Sequence, residues 1–128
     1  MQGVPVISVV GKSNVGKTTM IEKLLPELKR RGYRVATIKH DAHHFELDQP
    51  GKDTWRHARA GSDCVVIASS EKLAIIEKLD GELGLDAIIS RLPPVDLVIT
   101  EGYKRQNKPK IEVSRREMGS QLLCDASE

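Results

Sequence analysis

One run of eight residues constrains this chain more than any other feature. Gly11 to Thr18 read G-K-S-N-V-G-K-T, which satisfies G-x-x-x-x-G-K-[ST] at every defined position. Val4 to Val10 (V-P-V-I-S-V-V) precede it. That short, β-branched apolar run predicts a buried strand, with Pro5 near its start, where a missing N–H is tolerated. Thr18 to Arg31 follow it, with Met20, Ile21, Leu24, Leu25 and Leu28 on one helical face. Strand, glycine loop and helix together build a cradle for phosphate. Gly11 and Gly16 let the backbone turn so that successive N–H groups converge, and the helix start adds its positive dipole end. Lys17 supplies a point charge for the β- and γ-phosphates, and Thr18 a hydroxyl for Mg²⁺. Lys12, five residues before Lys17, is a further candidate nucleotide contact in the loop.

Pro26 interrupts the helical pattern and is expected to kink the helix or end its first part. Gly32 is the stop signal after Lys29, Arg30 and Arg31. Tyr33 to Lys39 alternate as a second strand, so the first unit predicts a parallel crossover. His40 to Lys52 are expected to form a long loop, and Asp53 to cap a short helix from Thr54 to about Ala60. Asp63–Ala68 and Lys72–Glu77 predict a hairpin turning at Ser69-Ser70-Glu71. Leu83 to Leu92 give another helical face, ended by Pro93-Pro94; Val95–Thr100 and Lys110–Val113 give two last strands. Alternating β and α elements predict a single α/β domain over residues 1–128, with a mainly parallel sheet plus a β-hairpin.

A nucleotide-bound Mg²⁺ needs oxygen ligands beyond one threonine, and a second should stand at the C-terminal end of a neighbouring parallel strand. Residues 96–102 read D-L-V-I-T-E-G. Glu101 lies just past the apolar run; Asp96 lies at the other end and is not chosen. Asp41, after the second strand, is the next carboxylate, suited to orienting an attacking water. His40, His43 and His44, with Asp41 and Asp48, have the residue types of a transition-metal site, but no cysteine joins them and no helix supports the spacing. Gly51 to Gly61 place Lys52, Arg56, His57 and Arg59 close together, a basic cluster suited to a second phosphorylated ligand.

Composition sets the class. Four aromatic residues (one Phe, one Trp, two Tyr) require an aliphatic core and argue against single-strand nucleic-acid readers, which stack bases on rings. A net charge of +2 gives no polyanion signature, so no nucleic acid is expected as a partner. Two cysteines make no disulfide framework, and Cys64, within an apolar run, is expected to be buried. No signal-peptide pattern and no apolar stretch of about 20 residues is present, so the expected location is cytoplasmic, with no membrane partner.

Four segments together resemble the MobB-type GTP-binding proteins of molybdopterin-guanine dinucleotide synthesis: G-K-S-N-V-G-K-T-T at 11–19, K-H-D-A-H-H-F at 39–45, D-Q-P-G-K-D-T-W-R-H at 48–57, and D-L-V-I-T-E-G-Y-K at 96–104 with P-K-I-E-V at 109–113. The resemblance implies a P-loop NTPase three-layer fold. It implies GTP binding with slow, Mg²⁺-dependent hydrolysis, and a helper role beside a MobA-type guanylyltransferase that joins GMP to molybdopterin. It implies a homodimer. Carried over by position, Gly11, Lys12, Ser13, Asn14, Val15, Gly16, Lys17, Thr18 and Thr19 bind the nucleotide, and Thr18 and Glu101 serve Mg²⁺; the chemistry of the residues themselves makes Lys17 and Asp41 the catalytic candidates. His40, His43, Asp48, Lys52, Asp53 and Arg56 face the nucleotide or a second ligand. Two features depart from the pattern. Similar proteins continue past 109–113 into a further strand and helix, so the domain is expected to lack that element. Asn107-Lys108-Pro109-Lys110 begins like the guanine motif N-K-x-D, but Lys110 stands at the Asp position and cannot accept the base's N–H groups. A small-molecule P-loop kinase and a nucleotide-dependent adaptor with negligible turnover are the alternative readings of the same loop.

Overall fold

The computed structural model describes residues 3–12, 16–41, 45–103 and 105–113. They fall into two compact units, one built from residues 1–42 and 89–128, the other from residues 43–88. Each is considered by itself.

The first unit is a four-stranded parallel sheet carrying one long helix. Its strands are β1 (Val6–Val10), β2 (Val35–Lys39), β5 (Leu97–Glu101) and β6 (Lys110–Glu112), in the order β2-β5-β1-β6. The helix α1 (Lys17–Arg30) leads from β1 to β2. The expected parallel crossover is present, but β5 lies between the strands it connects. Register fixes the site's edge: Val9 pairs with Glu101 on one side of β5, and Lys39 pairs with Glu101 on the other. Val9, Ile21 and Ile99 form the core on the α1 face, with Met20, Leu25, Leu28, Val35, Leu97 and Val113 packed against them. On the opposite face Val6, Ser8, Val10, Val98 and Thr100 are buried too, which explains why β1 and β5 read as near-continuous apolar runs. Ser8 and Thr100, the two polar members, satisfy each other across the strands at 2.8 Å.

Local chemistry sets the boundaries. α1 starts at Lys17 and runs through Pro26 without ending there. Pro26 deprives the Glu22 carbonyl of its helical donor, but both residues are exposed and water can take that bond. Gly32, at φ 91°, terminates the helix in a Schellman arrangement: the Gly32 N–H donates to the Lys29 carbonyl at 2.9 Å and the Tyr33 N–H to the Leu28 carbonyl at 3.1 Å. Near that end Arg30 donates twice to Glu27, each at 2.7 Å, and holds its carboxyl below the ordinary glutamate value. Asp96 has a structural task. Its Oδ2 accepts the Arg34 N–H at 2.8 Å and ties the starts of β2 and β5 together, at the edge away from Glu101.

The second unit holds α2 (Asp53–Arg59) and the antiparallel pair β3 (Cys64–Ala68) and β4 (Leu73–Glu77). α2 begins at Asp53 rather than after it. Lys52 occupies the cap position without a side-chain bond, and Asp53 Oδ1 accepts the Thr54 N–H at 2.7 Å. The hairpin turn is the expected one, with Ser69 Oγ accepting the N–H groups of Glu71 and Lys72 at 3.2 and 3.1 Å. Cys64 corrects its expectation, because it is exposed. β3 buries only Val65, and Cys64 and Val66 stand on the opposite face of the strand, which is open. A short helix, α3 (Leu85–Ile89), covers only the middle of the expected 83–92 segment; it spans the sequence boundary between the units. No helix among the described residues is long and apolar enough to cross a membrane.

Candidate functional site

The site forms at one edge of the parallel sheet, where β1, β2 and β5 end and α1 begins. Gly16 precedes α1 with φ 103°, a conformation that a Cβ would strain. The first turn of α1 contains no acidic residue, and among the described residues no side chain caps it. The first N–H groups of such a helix have no intrahelical acceptor, and its N-terminal end carries the positive end of the dipole. Lys17 folds across the loop, with Nζ donating to the Gly11 carbonyl at 3.0 Å. Lys12, Thr18 and Thr19 are exposed, and Gly11 and Gly16 are half-buried. Ser13, Asn14 and Val15 lie outside the described residues.

Thr18 and Glu101 are 83 residues apart in sequence and meet directly, the Thr18 hydroxyl donating to Glu101 Oε1 at 2.8 Å. Glu101 Oε2 lies 3.6 Å from Lys39 Nζ. Backbone bonds lock this edge. The His40 N–H donates to the Glu101 carbonyl at 3.0 Å, and the Gly102 N–H to the Val9 carbonyl at 2.9 Å. Gly102 (φ 104°) and Tyr103 (φ 63°) then turn the chain sharply. A Cβ on Gly102 would sit 3.3 Å from His40 Cβ, so the close approach of the two strand ends needs glycine there. The His40 and Tyr103 rings pack at 4.8 Å between centroids. Asp41 follows at the same edge and is exposed.

Gly11, Gly16, Lys17, Thr18, Thr19, His40, Asp41 and Glu101 thus all belong to the first unit. Lys39 belongs with them, although sequence reasoning did not single it out; its place at the end of β2, in register with Glu101, is the signal. The second-ligand candidates Asp48, Lys52, Asp53 and Arg56 sit in the second unit, and two of them have local tasks. Asp48 Oδ1 accepts the Thr54 hydroxyl at 2.9 Å, and Asp53 binds the Thr54 N–H. Lys52 and Arg56 are exposed, and Arg59 lies over the Trp55 ring at 5.1 Å. His43 and His44 lie outside the described residues, and among the described ones no three His, Cys, Asp or Glu side chains gather as a metal cluster. Lys110 also finds its role. Its Nζ donates to the carbonyls of Gln106 and Lys108 at 2.7 and 3.1 Å and so braces the loop before β6.

The model of the family described as MobB, molybdopterin guanine dinucleotide synthesis protein B, matches residues 6–128. The chain belongs to the MobB family. The molybdopterin-guanine dinucleotide biosynthesis adapter protein of Haemophilus influenzae is 40% identical over 121 residues, covering 93% of this chain and 68% of that protein. The adapter protein of Escherichia coli K12 is 34% identical over 116 residues, covering 88% of this chain and 66% of that protein. A crystal structure of molybdopterin-guanine biosynthesis protein B superposes with a TM-score of 0.69 at 41% identity, over 84% of this chain and 67% of that one. Bacillus subtilis MobB superposes with a TM-score of 0.73 at 27% identity, over 89% of this chain and 71% of that one. The chain thus spans about two thirds of the length of these MobB relatives.

Proposed function

We propose that this MobB-family chain is a GTP-binding adapter of molybdopterin-guanine dinucleotide synthesis, hydrolysing GTP slowly and working beside a MobA-type guanylyltransferase. The observation that carries the nucleotide reading is the 2.8 Å bond between Thr18 and Glu101 at the uncapped start of α1. A hydroxyl and a carboxylate are hard oxygen donors, the set that suits Mg²⁺. When bound, Mg²⁺ would neutralise charge on the β- and γ-phosphates. Lys17 and the N–H groups of the loop and first helical turn hold the triphosphate. Asp41 orients the water for in-line attack on the γ-phosphate. Catalysis then consists of positioning and charge neutralisation, in keeping with slow turnover.

Glu101→Ala removes one metal ligand while leaving the phosphate cradle in place. Its GTP affinity should become nearly indifferent to Mg²⁺, as read by titrations with and without EDTA. A Mg²⁺ dependence equal to the parent's takes Glu101 out of the site. Base selectivity is read by competing GTP against ATP with Mg²⁺ present. The expected result favours GTP; ATP preference removes the guanine assignment and spares the triphosphate site. Single-turnover hydrolysis with and without a guanylyltransferase separates the modes of action. Phosphate released only with the partner marks an adapter, and phosphate appearing on an acceptor marks a kinase.

The homodimer is also part of the proposal. Val66 pairs with Ile75 and Ala68 with Leu73 on one face of the hairpin, where Val66, Leu73 and Ile75 are 54%, 65% and 60% exposed. Apolar side chains grouped in this way suit burial against a second copy. Ile75→Lys should therefore shift the sedimentation coefficient from dimer to monomer. A parent chain that sediments as a monomer at micromolar concentration contradicts the assignment.

A further inference from the structure

The two oxygens of Glu101 have different partners: Oε1 accepts the Thr18 hydroxyl, and Oε2 lies 3.6 Å from Lys39 Nζ. The Glu101 side chain is 15% exposed and the Lys39 side chain 70% exposed, so the lysine reaches in from solvent onto a half-buried carboxylate. Their approach is built into the sheet, since Lys39 and Glu101 are register partners at the ends of β2 and β5. Lys17, the lysine of the phosphate loop, is committed elsewhere, to the Gly11 carbonyl. The edge therefore carries a second cation with no task in the G-K-T motif.

We propose that Lys39 is a charge placeholder on Glu101, which disfavours a divalent cation arriving alone and so couples metal entry to nucleotide binding. The inference rests on the reading that Thr18 and Glu101 hold Mg²⁺. An ammonium beside a carboxylate lowers that carboxylate's attraction for a second cation, and it repels a doubly charged ion more than a singly charged one. Solvent around the exposed lysine and added salt weaken the repulsion, leaving an effect of about fivefold on divalent affinity at low ionic strength. A triphosphate brings compensating negative charge to the same edge, so the repulsion matters less once it is bound. Lys39 acts through Glu101 and is a positioning residue; it need not touch the nucleotide.

The test measures Mn²⁺ binding by electron paramagnetic resonance on the full chain, with and without GTP, in the parent and in Lys39→Met, Lys39→Arg and Glu101→Gln. Without GTP, Lys39→Met should bind Mn²⁺ about fivefold more tightly than the parent at low salt, the gain shrinking towards ~0.5 M salt. Lys39→Arg keeps the charge and should match the parent. With GTP the difference between Lys39→Met and the parent should contract. An affinity in Lys39→Met at or below the parent's, including no detectable binding in either, overturns the proposal; so does a Lys39→Arg affinity that follows Lys39→Met. Glu101→Gln separates the two layers. If it loses Mn²⁺ while Lys39→Met is unchanged, only the placeholder role fails. If it binds Mn²⁺ as the parent does, the metal reading fails.

Discussion

Lys17→Ala weakens triphosphate binding by about two orders of magnitude or more. The expectation follows from charge. Lys17 is the loop's cation for the β- and γ-phosphates, and losing charge-assisted hydrogen bonds to a polyanion costs about 3 kcal/mol, or ~100-fold in affinity. The fold should tolerate the change. The described side-chain bond of Lys17 goes to the Gly11 carbonyl, and alanine is the best helix former for the first position of α1. Fluorescent-nucleotide titration, with far-ultraviolet circular dichroism as the folding control, reads both expectations. Undiminished affinity in a folded Lys17→Ala chain removes the 11–18 loop from nucleotide binding.

Ile99→Ala acts on stability by about 3 kcal/mol, within the range for emptying an aliphatic site in a packed core. Ile99 is 1% exposed, clusters with Val9 and Ile21, and lies on β5, the strand that pairs with both β1 and β2. It also shares a face with Glu101 two residues on, so a cavity there loosens the strand that presents the carboxylate. Leu47→Ala is the control: Leu47 is 78% exposed, and its replacement should change folding stability by less than about 0.5 kcal/mol. Urea denaturation compares the two, and a loss under 1 kcal/mol for Ile99→Ala contradicts its place in the core.

The strand and helix either side of the glycine loop were legible in sequence because each needs only local information. Apolar periodicity marks β1 and α1, and the G-x-x-x-x-G-K-[ST] spacing marks the turn between them. Glu101 was legible for a similar reason, since a carboxylate just past an apolar run stands at a strand's end. The insertion of β5 between β1 and β2 was not legible, because long-range pairing leaves no local trace. Without that pairing, Lys39 was one lysine among many; with it, Lys39 stands opposite Glu101. Asp53 and Pro26 differed through neighbouring groups. Thr54 donates its N–H to Asp53 and its hydroxyl to Asp48 at the start of α2, and solvent at Glu22 lets α1 pass Pro26. Cys64 departs from its expected burial because an apolar run does not reveal which of its residues are covered, and β3 buries only Val65.

Calorimetric titration of the full chain with GTP, in Mg²⁺ and in EDTA, tests the central claim most directly. The Thr18–Glu101 pairing at the start of α1 predicts saturable binding at one site per chain, markedly weaker in EDTA and abolished by Lys17→Ala. Binding of equal strength with and without Mg²⁺, or no binding at all, contradicts it.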